Sequence, residues 1–383
     1  MMKKYKFVSM YCIIAFLFDY NLIYSQTEYE QWLKEQQKEQ ETYLQEVTDQ
    51  FDSYVKEQEK LYEEFKEEVE KKWDEFRFSS KKTYVNYDEN LDSRASVDFE
   101  KGEVEVEVIV EKDPKSTNKE LAEKGEAKLK KKLEQIAQVK ADDQKPLLKD
   151  QLQTSKGEKV TAKNAGSYAS ETVKKNKVKK QKIKSKDGKT RVKYTVKIRM
   201  LPDHLDVRAK RYKDEVIKQS KRFNIDPRVA LAIMHTESSF NPKARSHVPA
   251  FGLMQLVPKS GARDAYNYVY KKDKLVRGKY LYKPKNNIEL GCAYISKVRH
   301  VYFKNVSNDK SAYYCTIAAY NTGAGNVARS FTGKTKLKPA IKAVNSKSPD
   351  GVYKHLKQKL PHKETRDYLV RVTDRISYYE SWI

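Results

Sequence analysis

From residue 28 to residue 78 the chain carries neither Gly nor Pro. Its apolar side chains recur at three- and four-residue steps: Leu44, Val47, Phe51, Tyr54, Leu61, Phe65, Val69, Trp73 and Phe76, with Gln58 as the polar interruption. One apolar stripe at that period predicts a long helix packed by one face onto its own domain. Only part of the stretch is regular enough for a coiled coil. The period then changes to two. Val104, Val106, Val108 and Val110 alternate with Glu103, Glu105 and Glu107, which predicts a half-buried strand with an acidic outer face. A strand over Ala95 to Phe99 precedes it across Glu100-Lys101-Gly102. Asp187-Gly188 signals a second hairpin, whose second strand alternates Val192, Tyr194, Val196 and Ile198 with Lys193, Thr195, Lys197 and Arg199. Acid on one strand and base on the other favour pairing if the two are neighbours. Asn118 to Gln138 and Pro146 to Gln153 read as helices, and residues 154–180 as a polar, Lys-rich, mobile segment.

Beyond Leu201-Pro202 the pattern is helical throughout. Asp206 to Phe223 is basic and amphipathic. Asp226 and Pro227 are a cap and first-turn pair for the next helix, and further helices are expected at Ile288 to Tyr302, Ser311 to Tyr320, Gly351 to Leu360 and Lys363 to Tyr379. The expected organisation is therefore an α+β domain over residues 44–200 followed by an all-α domain over 201–383, with residues 26–43 as a helical extension.

The start of the chain adds a targeting signal. Lys3, Lys4 and Lys6 precede an apolar run from Phe7 to Phe18, and Ile23-Tyr24-Ser25 offers a cleavage site. This order of basic, apolar and small residues predicts a secretory leader over residues 1–25. Ser9-Met10-Tyr11 before Cys12 makes a poor lipobox, so a soluble exported protein is expected. No apolar run approaches the roughly 20 residues of a spanning helix. Three Cys in 383 residues exclude a disulfide scaffold. After export Cys292 and Cys315 remain, with a disulfide and two buried thiols evenly balanced. The formal charge is +25, and it is unevenly placed: −9 over residues 26–78, +11 over 79–200 and +21 over 201–383. An anionic partner is implied, whether nucleic acid, membrane surface or wall polymer.

The candidate chemistry centres on Glu237, the one acidic residue between Asp226 and Asp264. It follows an apolar helix, with Ile233 and Met234 one turn back on its face. A carboxyl group held against apolar surface keeps its proton towards neutral pH and can act as a general acid. Pro242 closes the segment Glu237-Ser238-Ser239-Phe240-Asn241-Pro242. That segment is followed in order by Ala244-Arg245-Ser246, Gly252-Leu253-Met254-Gln255 and Ala319-Tyr320-Asn321-Thr322-Gly323-Ala324-Gly325. Together these resemble the soluble lytic murein transglycosylase family over residues 205–383. Tyr84-Val85, Ser93 to Gly102 and Pro361 to Tyr368 are similar to the murein transglycosylase C subfamily.

The resemblance implies a lysozyme-like catalytic domain, a peptidoglycan glycan strand as substrate, and no cofactor. It implies Glu237 as acid and then base, Ser246 as an orienting serine, and Met254 and Gln255 at the muramyl sugar. Tyr320 and Tyr368 would face the carboxyl and Asn321 would shape the site. Val257 and Pro249 depart from the pattern, where Met and Gly are usual. The single Glu suits a reaction in which the substrate's own hydroxyl is the nucleophile, since an ordinary glycoside hydrolase uses two carboxylates. Asp264 and Glu364 could still fold close. A hydrolytic muramidase and a non-catalytic peptidoglycan-binding scaffold stay open as alternatives. The resemblance also places the enzyme in the periplasm at the wall or outer membrane, with cell-wall enzymes as candidate partners for residues 44–200. No nucleic-acid reader motif is present.

Overall fold

The computed structural model describes residues 5–247 and 249–383. The expected leader begins in residues that lie outside this range, and further along it only the helical backbone is described. Met1–Glu59 forms one compact unit and Lys60–Ile383 a second.

Helix α1 runs over Tyr5–Lys72. At its C-terminal end Val69 and Trp73 are buried with Ile109 and Ile183, and Phe65 and Phe76 pack against them. The last part of the predicted stripe, Phe65 to Phe76, thus meets one face of a sheet, whereas Leu61 is exposed. That sheet holds β1 (Thr83–Tyr87), β2 (Ser93–Asp98), β3 (Glu103–Glu111), β4 (Lys179–Lys184) and β5 (Thr190–Arg199) in the order β1-β2-β3-β5-β4, antiparallel throughout. On the other face, Val104, Val106, Val108 and Val110 join Leu129, Leu133 and Ile136 of α2 (Asn118–Gln138) and Tyr168 and Val173 of α3 (Ala165–Lys175). The two hairpins meet as their charges predict: Glu105 faces Lys197 across β3 and β5, with the side chains paired at 2.7 Å.

Two expectations in this region fail for local reasons. Residues 146–153 are not a helix. Gln144 (φ 64°) and Asp150 (φ 62°) are left-handed, and an isolated bridge pairs Lys140 with Pro146, so the segment is a chain of turns. Residues 154–180 are not one mobile stretch, because α3 lies inside them. Ala165, Tyr168, Ala169, Thr172 and Val173 form its buried face, a helical period hidden among flanking lysines.

The helical region follows as α4 (His204–Arg222), α5 (Pro227–Ser238), α6 (Arg263–Tyr270), α7 (Gly278–Leu281), α8 (Pro284–Lys297), α9 (Asp309–Thr322), α10 (Ala324–Thr332), α11 (Leu337–Asn345), α12 (Pro349–Lys359) and α13 (Lys363–Tyr378). Its core joins α4, α5, α8, α9, α12 and α13 around Val216, Leu231, Ile295, Ile317, Leu356 and Leu369. Helices α6, α7, α10 and α11 are short and were not foreseen. Cys292 and Cys315 are free thiols in this core. Burial pushes each up to about 12, so both are inert small hydrophobes.

Residues 60–200 and 201–383 lie within a single compact unit, and Arg208 of α4 shows how they are joined. Its guanidinium is buried and donates to the Phe99 carbonyl, to Gln151 Oε1 (2.6 Å) and to the Ser239 carbonyl (3.0 Å). Lys243 with Asp142 (3.2 Å) and Arg375 with Glu100 (3.4 Å) add ion pairs across the same boundary.

Candidate active site

The site is built on the end of α5. Asp226 caps this helix by accepting from the Arg228 amide at 2.8 Å, with Pro227 in the first turn, as the sequence predicts. The helix stops at Ser238 because Ser239 (φ 50°) and Phe240 (φ 61°) both turn left-handed, a costly conformation for side-chain-bearing residues. The sharp exit leaves Glu237 in the last turn. Glu237 is 6% exposed, and burial raises its pKa above the usual carboxylate range. The Lys81 charge and the Tyr368 hydroxyl oppose that shift, and the Glu364 charge adds to it.

A tight turn carries the next group. Gly252 (φ 73°) packs so closely that a Cβ there would lie 2.5 Å from both Asn287 Nδ2 and the Leu281 carbonyl. Asn287, fully buried, accepts from the Met254 amide and donates to the carbonyls of Phe251 and Leu281, each at 2.8 Å. Ser238 Oγ donates to the Leu253 carbonyl at 2.7 Å and so ties the turn to α5. Held this way, Gln255 (φ 48°) is 7% exposed; its amide nitrogen donates to the Gly252 carbonyl, and its Oε1 is buried without a hydrogen-bond partner.

Tyr320, near the end of α9, donates its hydroxyl to the Met254 carbonyl at 2.8 Å. Its pKa lies well above the ordinary tyrosine value, through burial first and the Glu237 charge second. Tyr368 of α13 is shifted the same way for the same two reasons. Its buried hydroxyl approaches Glu237 without the geometry of a full hydrogen bond. Asn321 Oδ1 accepts from Thr365 at 2.7 Å and joins α9 to α13. Ser246 lies in the loop before the turn, where its Oγ accepts from the Ala250 amide at 3.0 Å.

The structure therefore brings Glu237, Tyr320 and Tyr368 into one electrostatic neighbourhood, with the Gln255 turn bound to it through Met254 and Leu253. The Met254 side chain itself is fully buried against Gly291, where a Cβ would lie 2.1 Å from its sulfur; its carbonyl is what reaches Tyr320. Asp264 is engaged elsewhere, by Lys297 (3.3 Å) and Tyr302 (3.2 Å). Two residues escaped the sequence reading. Asn287 gave no signal beyond being a polar residue in a helix. Lys81, 3.7 Å from Glu237 Oε2, comes from a segment more than 150 positions earlier.

Two family models match the chain consecutively. Residues 38–211 match the N-terminal domain of membrane-bound lytic murein transglycosylase C, and residues 214–342 match the transglycosylase SLT domain. Membrane-bound lytic murein transglycosylase C of Klebsiella pneumoniae subsp. pneumoniae is 34% identical over 299 residues, covering 76% of this chain and 80% of the relative. This chain belongs to the lytic murein transglycosylase C family. The protein of that name from Salmonella typhimurium is 32% identical over 296 residues, with coverage of 76% and 80%. Among solved structures, the lytic transglycosylase Slt of Pseudomonas aeruginosa is 27% identical, with a TM-score of 0.35, over 45% of this chain and 24% of that one. The junction between the two family matches falls inside α4, the helix that carries Arg208. The relatives are named as membrane-bound; among the described residues no helix is long and apolar enough to cross a membrane.

Proposed function

We propose that the protein is an exported lytic transglycosylase that cuts the β-1,4 bond between N-acetylmuramic acid and N-acetylglucosamine in peptidoglycan without adding water. The observation that carries this reading is the buried Glu237 carboxyl, 6% exposed at the end of α5, where burial favours the protonated form over the charged one. The protonated carboxyl gives its proton to the glycosidic oxygen as the C1–O bond breaks. The resulting carboxylate takes the proton of the muramyl 6-hydroxyl as that oxygen bonds to C1, giving a 1,6-anhydro product. One group performs both transfers, and the proton count closes without a second carboxylate.

The surroundings support this assignment. The unpartnered Gln255 Oε1 is an acceptor ready for an amide or hydroxyl of the sugar, since a buried orphan costs about 1–3 kcal/mol until it is bonded. Tyr320 and Tyr368 keep their protons firmly: the Tyr368 hydroxyl is the neutral donor beside the charge that develops on Glu237, while Tyr320 spends its proton on the Met254 carbonyl and fixes the turn. Ser246 and Asn321 hold the loop and the α9 end that border the sugar, and Met254 contributes through its carbonyl. The leader segment would take the enzyme to the periplasm, where this substrate lies.

A hydrolytic muramidase is the second reading, favoured by the Glu364 charge felt at Glu237. The experiment is digestion of purified sacculi by wild type, E237Q and E364Q, with mass spectrometry of the soluble products. The expected result is anhydro-muropeptides from wild type and E364Q. E237Q should lose at least 10²–10⁴-fold in rate, the usual contribution of a general acid–base group. Products heavier by one water would reject the lyase reading, and near-normal turnover by E237Q would reject Glu237.

A further inference from the structure

The α+β region reaches the reacting carboxylate with one side chain. Lys81 lies in a turn whose backbone is held from two directions. Within the α+β region, the Ser80 amide donates to the Thr83 carbonyl (2.8 Å), Ser80 Oγ accepts from the Lys82 and Thr83 amides, and the Phe99 amide donates to the Lys82 carbonyl (2.9 Å). From the helical region, the Arg245 amide donates to the Ser80 carbonyl (3.3 Å) and the buried Asn241 side chain donates to the Lys81 carbonyl (3.4 Å). The neighbouring Lys82 pairs with Glu100, which also binds Arg375 of α13. Lys81 pairs instead with Glu237: its Nζ stands 3.7 Å from Oε2, with 40% of the lysine side chain exposed against 7% of the glutamate. That separation is beyond a hydrogen bond and within the range of a direct charge contact.

We propose that Lys81 is a positioning residue for the Glu237 reaction: a cation supplied by the α+β region that stabilises the carboxylate left after the first proton transfer. This deepens the lyase reading and rests on it. The physical need is specific to a carboxyl that works twice. Burial alone favours the protonated form, which suits the acid step but makes the carboxylate intermediate expensive. A cation nearly 4 Å away, bound too loosely to block the oxygen, lowers that expense and leaves the lone pair free for the 6-hydroxyl proton. The other groups felt at Glu237 do not supply positive charge: Tyr320 from α9 and Tyr368 from α13 are neutral, and Glu364 from α13 is negative.

The test is the pH profile of kcat/KM on purified sacculi for the full-length wild type, K81M and K81R. The free enzyme must carry the Glu237 proton to start, so activity falls on the basic side as that proton is lost. Removing the lysine charge strengthens Glu237's hold on its proton. The basic limb of K81M should therefore move to higher pH, with kcat reduced about tenfold and KM little changed. K81R should keep the wild-type limb. A limb position does not depend on how much of a preparation is folded, so partial misfolding would not mask the shift. An unmoved limb in K81M, or an equal displacement in K81R, would overturn the proposal while leaving the lyase reading intact. Hydrated reducing-end products from wild type would reject the lyase reading itself, whatever Lys81 does.

Discussion

Two buried carboxylates on this chain lead opposite lives. Glu107 of β3 is 2% exposed, as deeply placed as Glu237. It receives Arg94 Nε at 2.6 Å and Arg77 Nη1 at 3.0 Å, and Arg94 is itself fully buried, with its guanidinium 4.2 Å above the Trp73 ring. Two guanidiniums in contact make that carboxylate a rivet between β2, β3 and the segment after α1. Glu237 has one half-exposed lysine at 3.7 Å and two hydroxyl groups that keep their own protons. Burial is the same; the difference lies in the partners. Glu107 is packed between two guanidiniums, whereas Glu237 is left with a single loose cation and a raised pKa.

The comparison is broken most forcefully by removing Glu107. E107Q leaves Arg94 buried without its counter-charge, and stripping one partner from a buried pair typically costs about 3–5 kcal/mol. Urea unfolding should show a loss of that order, and the products released by the surviving folded fraction should be unchanged. A smaller effect is expected at Arg208, a buried cation bonded to neutral oxygens, whose burial lowers its pKa to about 9. R208M would orphan the acceptors of Phe99, Ser239 and Gln151 but would also remove a desolvated charge. The two partly cancel, leaving a destabilisation of about 2 kcal/mol, together with slower turnover if the Lys81 turn drifts from Glu237.

The smallest effect has the opposite sign. A Glu whose folded pKa is raised above the unfolded value of 4.5 binds its proton more tightly when folded. It therefore favours the folded state below pH 4.5 and loses that contribution as pH rises through the folded pKa. E237Q escapes this loss. Its melting temperature should match or exceed wild type at neutral pH, with the difference shrinking in acid; a clear loss of stability at pH 7 would count against an undercompensated carboxyl.

Much of this contrast was legible in the one-dimensional pattern. The alternation of Val and Glu in β3 announced the apolar face and the basic β5 partner, but the expected outer acidic face is itself covered: Glu107 is 2% exposed and Ile109 is buried with Val69 and Trp73. Glu237 was visible because it stood alone among cations after an apolar helix. Other features were not legible, for identifiable reasons. Arg94 and Arg77 look like ordinary surface charges until the sheet brings Glu107 between them. Helix α3 was masked by lysines that lie on its solvent side, and the turns over 146–153 depend on left-handed Gln144 and Asp150, which no residue type there demands. Lys81 is one of many lysines, and only the register of the turn against Asn241 and Arg245 selects it. Local periodicity is written in neighbours along the chain, whereas charge compensation is settled by residues far apart in it.

The Arg208 clasp bears on how such a protein can be inherited. Its acceptors lie at the end of β2, in the turns between α2 and α3, and just past α5. A recombination event at the Leu201-Pro202 step would give a helical half that keeps Glu237, Gln255 and Tyr320. That half would also bare a guanidinium evolved for the dark, and it would lack the lysine at the carboxylate. The chain reads as two modules, but the Arg208 contacts join them into one unit.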